Sequence, residues 1–324
     1  MSLTPSPFTA LSRRKLGLSL AYASLVAACA PPRRRPRTLR IGYQKNGVLL
    51  CAKSRGLIDK ALPGTTVEWS LFPSGPPMLE AMSAGAVDFG ATGDTPPIFA
   101  QAASAPLVYA AYQPLTGVGE GVVTPPGSPL TTGKDLKGKR IAVTKGSSAH
   151  LLLIRALRSA GLSWGDVTPV FLTPSDAASA FGSGSIDAWS IWDPYLALAQ
   201  RDQKARVLVS GAVLPQTDAF YLASAKLAHD SPDLLRDFLD ALRVEAAWGQ
   251  AHQDEMVKII SDANHLPADV VLTSLRRGPL AVEPMTAAAV ARQQAGADTF
   301  ADLHIIPAHI DIASVVWRDW KPQS

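Results

Sequence analysis

A chain of 324 residues predicts two domains at about 150 residues each, and 47% hydrophobic against 18% charged residues excludes disorder, collagen and coiled coil. The formal charge of +4 is local, because residues 1–37 carry Arg13, Arg14, Lys15, Arg33, Arg34, Arg35, Arg37 and no acid. Without those seven of the 31 basic groups the body holds 24 against 27 acidic ones, so it has no general attraction for phosphate backbones and nucleic acid is excluded as a partner.

The chain opens on a polar start, the basic trio Arg13-Arg14-Lys15 and an apolar stretch over 16–28. Spanning a bilayer takes about 20 apolar residues, so this stretch fits a signal sequence instead. The paired arginines suit a twin-arginine signal or an ordinary secretory one. Val26-Ala27-Ala28-Cys29 resembles the lipobox of bacterial lipoproteins, which implies lipidation at Cys29; plain cleavage beside Ala28 or Ala30 is the alternative. Residues 1–29 are therefore read as a signal peptide and 30–37 as a stiff Pro/Arg tether. The body is exported, either periplasmic or anchored on the extracytoplasmic side. Cys29 and Cys51 are the two cysteines, which excludes a disulfide framework and a thiolate zinc site. The six histidines show no metal-binding spacing.

From Thr38 onward short apolar runs alternate with helical stretches, the pattern of βαβ units. Strands are predicted at 39–43, 67–72, 87–91 and 107–112, with helices at 48–58, 76–84 and 96–103. The second half repeats the plan, with strands at 140–143, 170–172 and 186–191 and helices at 148–160, 174–182 and from Pro194. Residues 72–94 align without a gap on 171–193, matching Phe72 with Phe171, Ala81 with Ala180, Gly85 with Gly184, Asp88 with Asp187 and Asp94 with Asp193. So few identities also fit a chance likeness between common βαβ units; the shared order of elements favours two similar α/β lobes. After Phe220-Tyr221-Leu222-Ala223 the pattern turns helical. Ser231, Pro232 and Asp233 read as cap, first-turn proline and first-turn acid, and Leu234, Leu235, Phe238, Leu239 and Leu242 share one face. Further helices are predicted at 253–262, 268–276 and 286–301. If this tail packs on the first lobe, lobe 1 comprises 38–117 and 222–324 and lobe 2 comprises 118–221, with crossings near 115–120 and 217–224.

In parallel sheets ligands bind beyond the carboxyl ends of strands, where the next helix starts. Phe72-Pro73-Ser74-Gly75, Thr92-Gly93-Asp94-Thr95, Lys145-Gly146-Ser147-Ser148 and Trp192-Asp193-Pro194-Tyr195 are such corners. A helix start presents free N–H groups and positive potential to an anion, glycine lets it approach, and Ser or Thr adds a donor. Ordinary capping accounts for any single corner; several on one rim point to a shared anion site.

These residues also carry a family resemblance. The runs 72–81 (Phe72-Pro73-Ser74-Gly75-Pro76-Pro77-Met78-Leu79-Glu80-Ala81), 87–102, 145–151 and Asp187-Ala188-Trp189-Ser190-Ile191-Trp192-Asp193-Pro194-Tyr195 resemble the aliphatic-sulfonate-binding proteins of ABC importers, a likeness covering 38–320. It implies a type II periplasmic-binding-protein fold, an α/β fold whose two lobes are each a mainly parallel sheet flanked by helices. It implies capture of a small organic sulfonate and delivery to an ABC transporter permease for sulfur acquisition. It implies a monomer without cofactor or metal, meeting the membrane only through a lipid anchor. Ser74 and Pro77 stand where other members often have Ala and Gln, which leaves the ligand's tail open.

On this likeness the sulfonate accepts hydrogen bonds at Ser74, Gly75, Thr92 and Gly93 from lobe 1 and at Gly146, Ser147 and Ser148 from lobe 2, with Gln44, Lys45 and Lys145 nearby. Four charge-assisted bonds contribute roughly 6–12 kcal/mol gross against an association cost of about 4–15 kcal/mol, so the organic tail must add burial. Trp189, Trp192 and Tyr195 are the candidate wall; Trp189 and Trp192 lie on opposite strand faces, which favours Trp192 beside the helix start. Asp94 and Asp193 either cap their helices or hold a polar tail. Nitrate, taurine and sulfate are alternative ligands. An enzyme on the same fold, desulfinase-like or acting on a thiamine precursor, would use Cys51 or His150. Cys51 follows Val48-Leu49-Leu50, a setting for a buried structural thiol, and His150 sits in a predicted helix without a visible partner. Residues 133–139 imitate a P-loop, but Arg140 replaces its Ser/Thr and a strand follows rather than precedes it, which excludes ATP binding.

Overall fold

The computed structural model describes residues 37–322, so the signal segment, Cys29 and the tether through Pro36 lie outside it. The first half contains β1 (Arg37–Tyr43), α1 (Gly47–Arg55), α2 (Leu57–Ala61), β2 (Thr65–Leu71), α3 (Gly75–Ser83), β3 (Phe89–Thr92), α4 (Thr95–Ala102) and β4 (Leu107–Pro114). The middle contains β5 (Glu120–Thr124), β6 (Arg140–Val143), α5 (Ser148–Ser159), β7 (Thr168–Phe171), α6 (Pro174–Gly182), β8 (Ala188–Trp192), α7 (Tyr195–Asp202) and β9 (Arg206–Ser210). The last part contains β10 (Asp218–Ser224), α8 (Ala225–Asp230), α9 (Pro232–Ala251), α10 (Gln253–Asn264), α11 (Ala268–Arg276) and α12 (Ala287–Asp302).

Two five-stranded sheets organise these elements, in the orders β2-β1-β3-β10-β4 and β7-β6-β8-β5-β9. In the first, β3 runs parallel to β1, and β10 is antiparallel to both β3 and β4. In the second, β6 is parallel to β7 and β8, and β5 is antiparallel to β8 and β9. The chain thus leaves the first sheet after Pro114, enters the second at Glu120, leaves it after Ser210 and returns at Asp218. The border expected between residues 221 and 222 falls inside β10, because the apolar residues of that strand pair with β3 and β4 from Asp218 onward.

The internal repeat has a physical basis. Asp88 and Asp187 each accept the amide N–H of an arginine in the neighbouring strand, Arg40 at 2.9 Å and Arg140 at 2.7 Å. Their own amides return to the same arginines' carbonyls, at 2.8 and 2.9 Å. Gly85 and Gly184, three residues earlier in each half, both turn the chain at positive φ, 75° and 71°, where a Cβ would be strained.

Alternation along the strands divides side chains between two faces of each sheet. In the first sheet Leu39, Ile41 and Phe89 pack on Leu235, Phe238 and Leu242 of α9, the amphipathic face read from the sequence. Met78, Ile98, Tyr109, Phe220 and Phe300 fill the other side, beneath α3, α4 and α12. In the second sheet Ile141 and Val143 face Leu153 and Leu157 of α5, while Ala142 and Trp189 face Phe181 of α6.

Three strands, β5, β9 and β10, have no counterpart in the predicted elements. β5 is five residues long, starts with an acid followed by glycine, and is buried throughout; pairing on both edges makes it a strand where local propensity does not. Trp189, a candidate ligand wall, is instead a core residue, 1% exposed, with its ring 5.8 Å from Phe181. Strand β8 starts at Ala188 and turns Trp189 onto the α6 face. Trp189→Ala should lower unfolding free energy by about 3–5 kcal/mol in urea denaturation, as truncation of a buried aromatic does; a loss under ~1 kcal/mol would contradict its core role.

Candidate functional site

A cavity of about 260 Å³ opens where the carboxyl ends of β1, β3 and β8 and the two crossings meet, near the small end of the about 300–1,000 Å³ usual for ligand pockets. Gln44, Lys45, Gly75, Thr92, Gly93, Ser147, Ser148, Trp192 and Asp193, all named from the sequence, line it. Three helix N-termini bring the anion-binding corners together: α3 and α4 flank the first sheet and α5 the second. The two sides touch at Gly93, where an added Cβ would lie 2.8 Å from the Ser148 Cβ. Glycine is required there by close approach rather than by backbone conformation.

The donors are fewer than the corners suggest. Pro76-Pro77 and Pro96-Pro97 occupy the first turns of α3 and α4 and remove four N–H groups. Ser147 spends both its hydroxyl and its amide on the Thr144 carbonyl, at 2.7 and 3.2 Å. Gly146 turns at φ 71° and donates its N–H to His150 Nδ1 at 3.3 Å. The amides of Gly75, Gly93 and Ser148 have no acceptor among the described residues, and they belong to residues that line the cavity. Gln44 also lines it, with Nε2 donating to the Ala91 carbonyl at 3.0 Å.

Ser74, Asp94, Lys145 and Gly146 are outside the cavity wall. Ser74 precedes α3 as its cap residue but is buried and makes no side-chain capping bond. Lys145 is directed to the Phe171 ring, 5.8 Å from its centroid, and Gly146 packs beside Pro76 and Phe99. Asp94 does not cap α4 in the usual way. Its Oδ1 accepts from the Thr95 hydroxyl at 2.9 Å, and its Oδ2 lies 3.7 Å from Arg155 Nη1 of α5. Burial raises its carboxyl above the usual range, with Arg155 partly offsetting the rise.

Asp193 combines capping with an ion pair. Its Oδ1 accepts from the Ala197 amide at 3.0 Å, and Arg277 Nη1 donates to Oδ1 and Oδ2 at 3.0 and 3.2 Å. Arg277 Nη2 reaches Gln200 of α7 at 2.5 Å, and Asn46 Nδ2 reaches the Asp193 carbonyl at 3.3 Å. Burial pushes the Asp193 carboxyl up to about 6, against the pull of Arg277.

Sequence patterns found Trp192 in the opposite wall and missed the rest of it, while Tyr195 lies outside the wall. Ile260 of α10, Val271 and Leu275 of α11, and Leu280 join Leu49, Tyr221 and Trp192 in an apolar surface. Arg277 and Glu120 also line the cavity. The pair Arg276-Arg277 before Gly278-Pro279 was a visible helix stop, but nothing local linked it to residues more than 80 positions earlier.

The two candidate catalytic groups are sealed off. Cys51 is 0% exposed, packed with Leu50, Met256 and Ile260, and burial beside Glu245 raises its thiol far above the usual range. His150 is 1% exposed, enclosed by Phe99, Trp164, Phe171 and Phe300. Burial, with Lys145 nearby, holds it down to about 4. Neither lines the cavity, and among the described residues no cluster of His, Cys, Asp and Glu could hold a metal.

The family model "NMT1/THI5 like" matches residues 71–256. The chain belongs to that family. It is 40% identical to the periplasmic aliphatic sulphonate-binding protein SsuA of Escherichia coli, with a TM-score of 0.82 over 89% of this chain and 94% of that one. It is also 40% identical to the alkanesulfonate-binding protein SsuA of Xanthomonas axonopodis pv. citri, solved bound to MOPS, with a TM-score of 0.85 over 88% and 99%. The desulfurization enzyme DszB shares the fold of this NMT1/THI5-like protein at 18% identity and a TM-score of 0.65, covering 87% of this chain and 97% of that one. The likeness to periplasmic binding proteins identifies the two sheets as the lobes of that fold, joined by two hinge crossings.

Arg277→Ala removes the bridge between the returning tail and the second sheet and strands a buried carboxyl. It should raise the ligand Kd about 10- to 100-fold, since a charged hydrogen bond contributes about 1.5–3 kcal/mol. Calorimetric titration checks this, and an unchanged Kd would show that the pair has no part in holding the cavity closed.

Proposed function

We propose that this protein is an extracytoplasmic substrate-binding protein that captures an aliphatic sulfonate between its lobes and delivers it to an ABC transporter permease. The observation that carries the reading is one cavity with two unlike walls. Backbone amides of Gly75, Gly93 and Ser148 at three converging helix starts suit a small oxyanion, and Trp192, Leu275, Val271 and Ile260 suit an apolar tail. The two sulfonate-binding relatives described above support the same chemistry. Gln44, Lys45 and Thr92 complete the head-group end, Ser147 lines the cavity with its donors spent on Thr144, and Asp193 acts through Arg277. Nitrate and sulfate would satisfy the amides and leave the apolar wall uncovered.

The protein acts as a monomeric binder and not as an enzyme: the cavity contains neither Cys51 nor His150. No helix among the described residues is long and apolar enough to cross a membrane; Cys29, whose sequence context resembles a lipobox, is the proposed site of a lipid anchor.

Isothermal titration with alkanesulfonates of increasing chain length tests the assignment. Each buried methylene adds about 0.8 kcal/mol, so Kd should fall about fourfold per carbon until the apolar wall is covered. Thermal shift should rise in the same order, because only native-state binding stabilises. A shift with nitrate and none with any sulfonate would overturn the reading. Cys51→Ala should leave binding intact, and native Cys51 should resist thiol reagents that label the unfolded chain; loss of a turnover activity in that variant would instead establish an enzyme.

A further inference from the structure

Glu120 opens β5, directly after the first crossing, and lines the ligand cavity. It is 8% exposed. Its Oε1 accepts from the Thr217 hydroxyl at 3.4 Å, and Oε2 has no hydrogen-bond partner among the described residues. No cation of the described residues lies within ion-pair distance of it.

The guanidinium groups around it are already taken. Asp94 and Arg155, which both act on Glu120, face each other at 3.7 Å. Asp193 and Arg277 pair at 3.0 Å in the same cavity wall, and Asp218, next to Thr217, pairs with Arg292 at 2.7 Å. Lys45 lines the cavity from the exposed end of β1. Asp94 directly follows Gly93, and Arg155 stands about two turns along α5 from Ser148. Glu120 therefore shares one cavity wall with Gly93 and Ser148, the residues that precede them. An ionised Glu120 would set a second carboxylate beside Asp94 with one guanidinium to serve both, and a bound sulfonate would add a third anion. Burial, reinforced by Asp94 and only partly offset by Arg155, pushes the Glu120 carboxyl up to about 8.

We propose that Glu120 engages the ligand as a neutral carboxylic acid, its Oε2–H donating to a sulfonate oxygen, so that capture of the anion requires this proton. A sulfonate carries no hydrogen of its own, so, given the sulfonate reading above, on which this inference rests, the protein must supply it. Below the carboxyl's pKa in the free protein the donor is already in place. Above it, binding must take up one proton, and affinity falls.

Calorimetric titration with pentanesulfonate across about pH 6 to 9.5, repeated in buffers of different ionisation enthalpy, reads affinity and proton exchange together. The wild type should bind with a constant Kd below about pH 7 and lose up to about tenfold per unit above about pH 8, taking up close to one proton per ligand near pH 9. Glu120→Gln keeps a donor that cannot ionise, and should lose both the slope and the uptake. Binding by the wild type near pH 9 without proton uptake, or a Gln variant that keeps the slope, overturns the role of Glu120 and leaves the sulfonate reading standing. Absence of binding even near pH 6 overturns the sulfonate reading and this inference with it.

Discussion

Neither sheet is complete without a strand delivered across the hinge. β10 returns from the second half to lie between β3 and β4, and β5 arrives from the first to lie between β8 and β9. Both insertions are antiparallel in otherwise parallel surroundings, so the two crossings must run side by side. They meet where a Cβ on Gly117 would come within 2.6 Å of the Gly211 backbone, with Gly117 at φ 73°. Two glycines in contact therefore set how close the lobes approach, and the cavity lies directly above them, with Gly117, Gly119 and Glu120 in its wall.

That arrangement separates charge from ligand. Asp94 in the first lobe faces Arg155 in the second, and Asp193 in the second faces Arg277 in the returning tail. Each pair spans parts of the chain that the hinge brings together, and each neutralises a buried carboxylate that would otherwise repel an oxyanion. An anion is then met by peptide dipoles rather than by a competing salt bridge. Backbone amides at the ends of rigid helices need no rearrangement to receive it. Prolines in the first turns of α3 and α4 thin these donors to a few fixed directions, a geometry suited to a small, symmetric head group.

The tail contributes as much to the cavity as the repeated halves do. Residues from α10 and α11 and Leu280 close the apolar side, while Cys51 sits behind them in the same packed cluster as Ile260, Val271 and Leu275. Cys51 is thus structural filling: it is fully buried in this cluster and is not part of the cavity wall.

The sequence by itself determined the alternation of strands and helices, the strand-end corners at Gly75, Gly93 and Ser148, and the repeat that Asp88 and Asp187 make physical. Those features depend on neighbouring residues and on backbone chemistry that any reader of the chain can follow. Strand alternation in the sequence already favoured Trp192 over Trp189 for the cleft, but only tertiary structure decided that Ser147 and Gly146 use their donors internally and that β5 is a strand at all. It also decided the partners of Asp94 and Asp193 and brought Glu120 and Arg277 to one cavity. Pairings between residues tens of positions apart leave no local period to read: they arise when two crossings fold one half of the chain against the other.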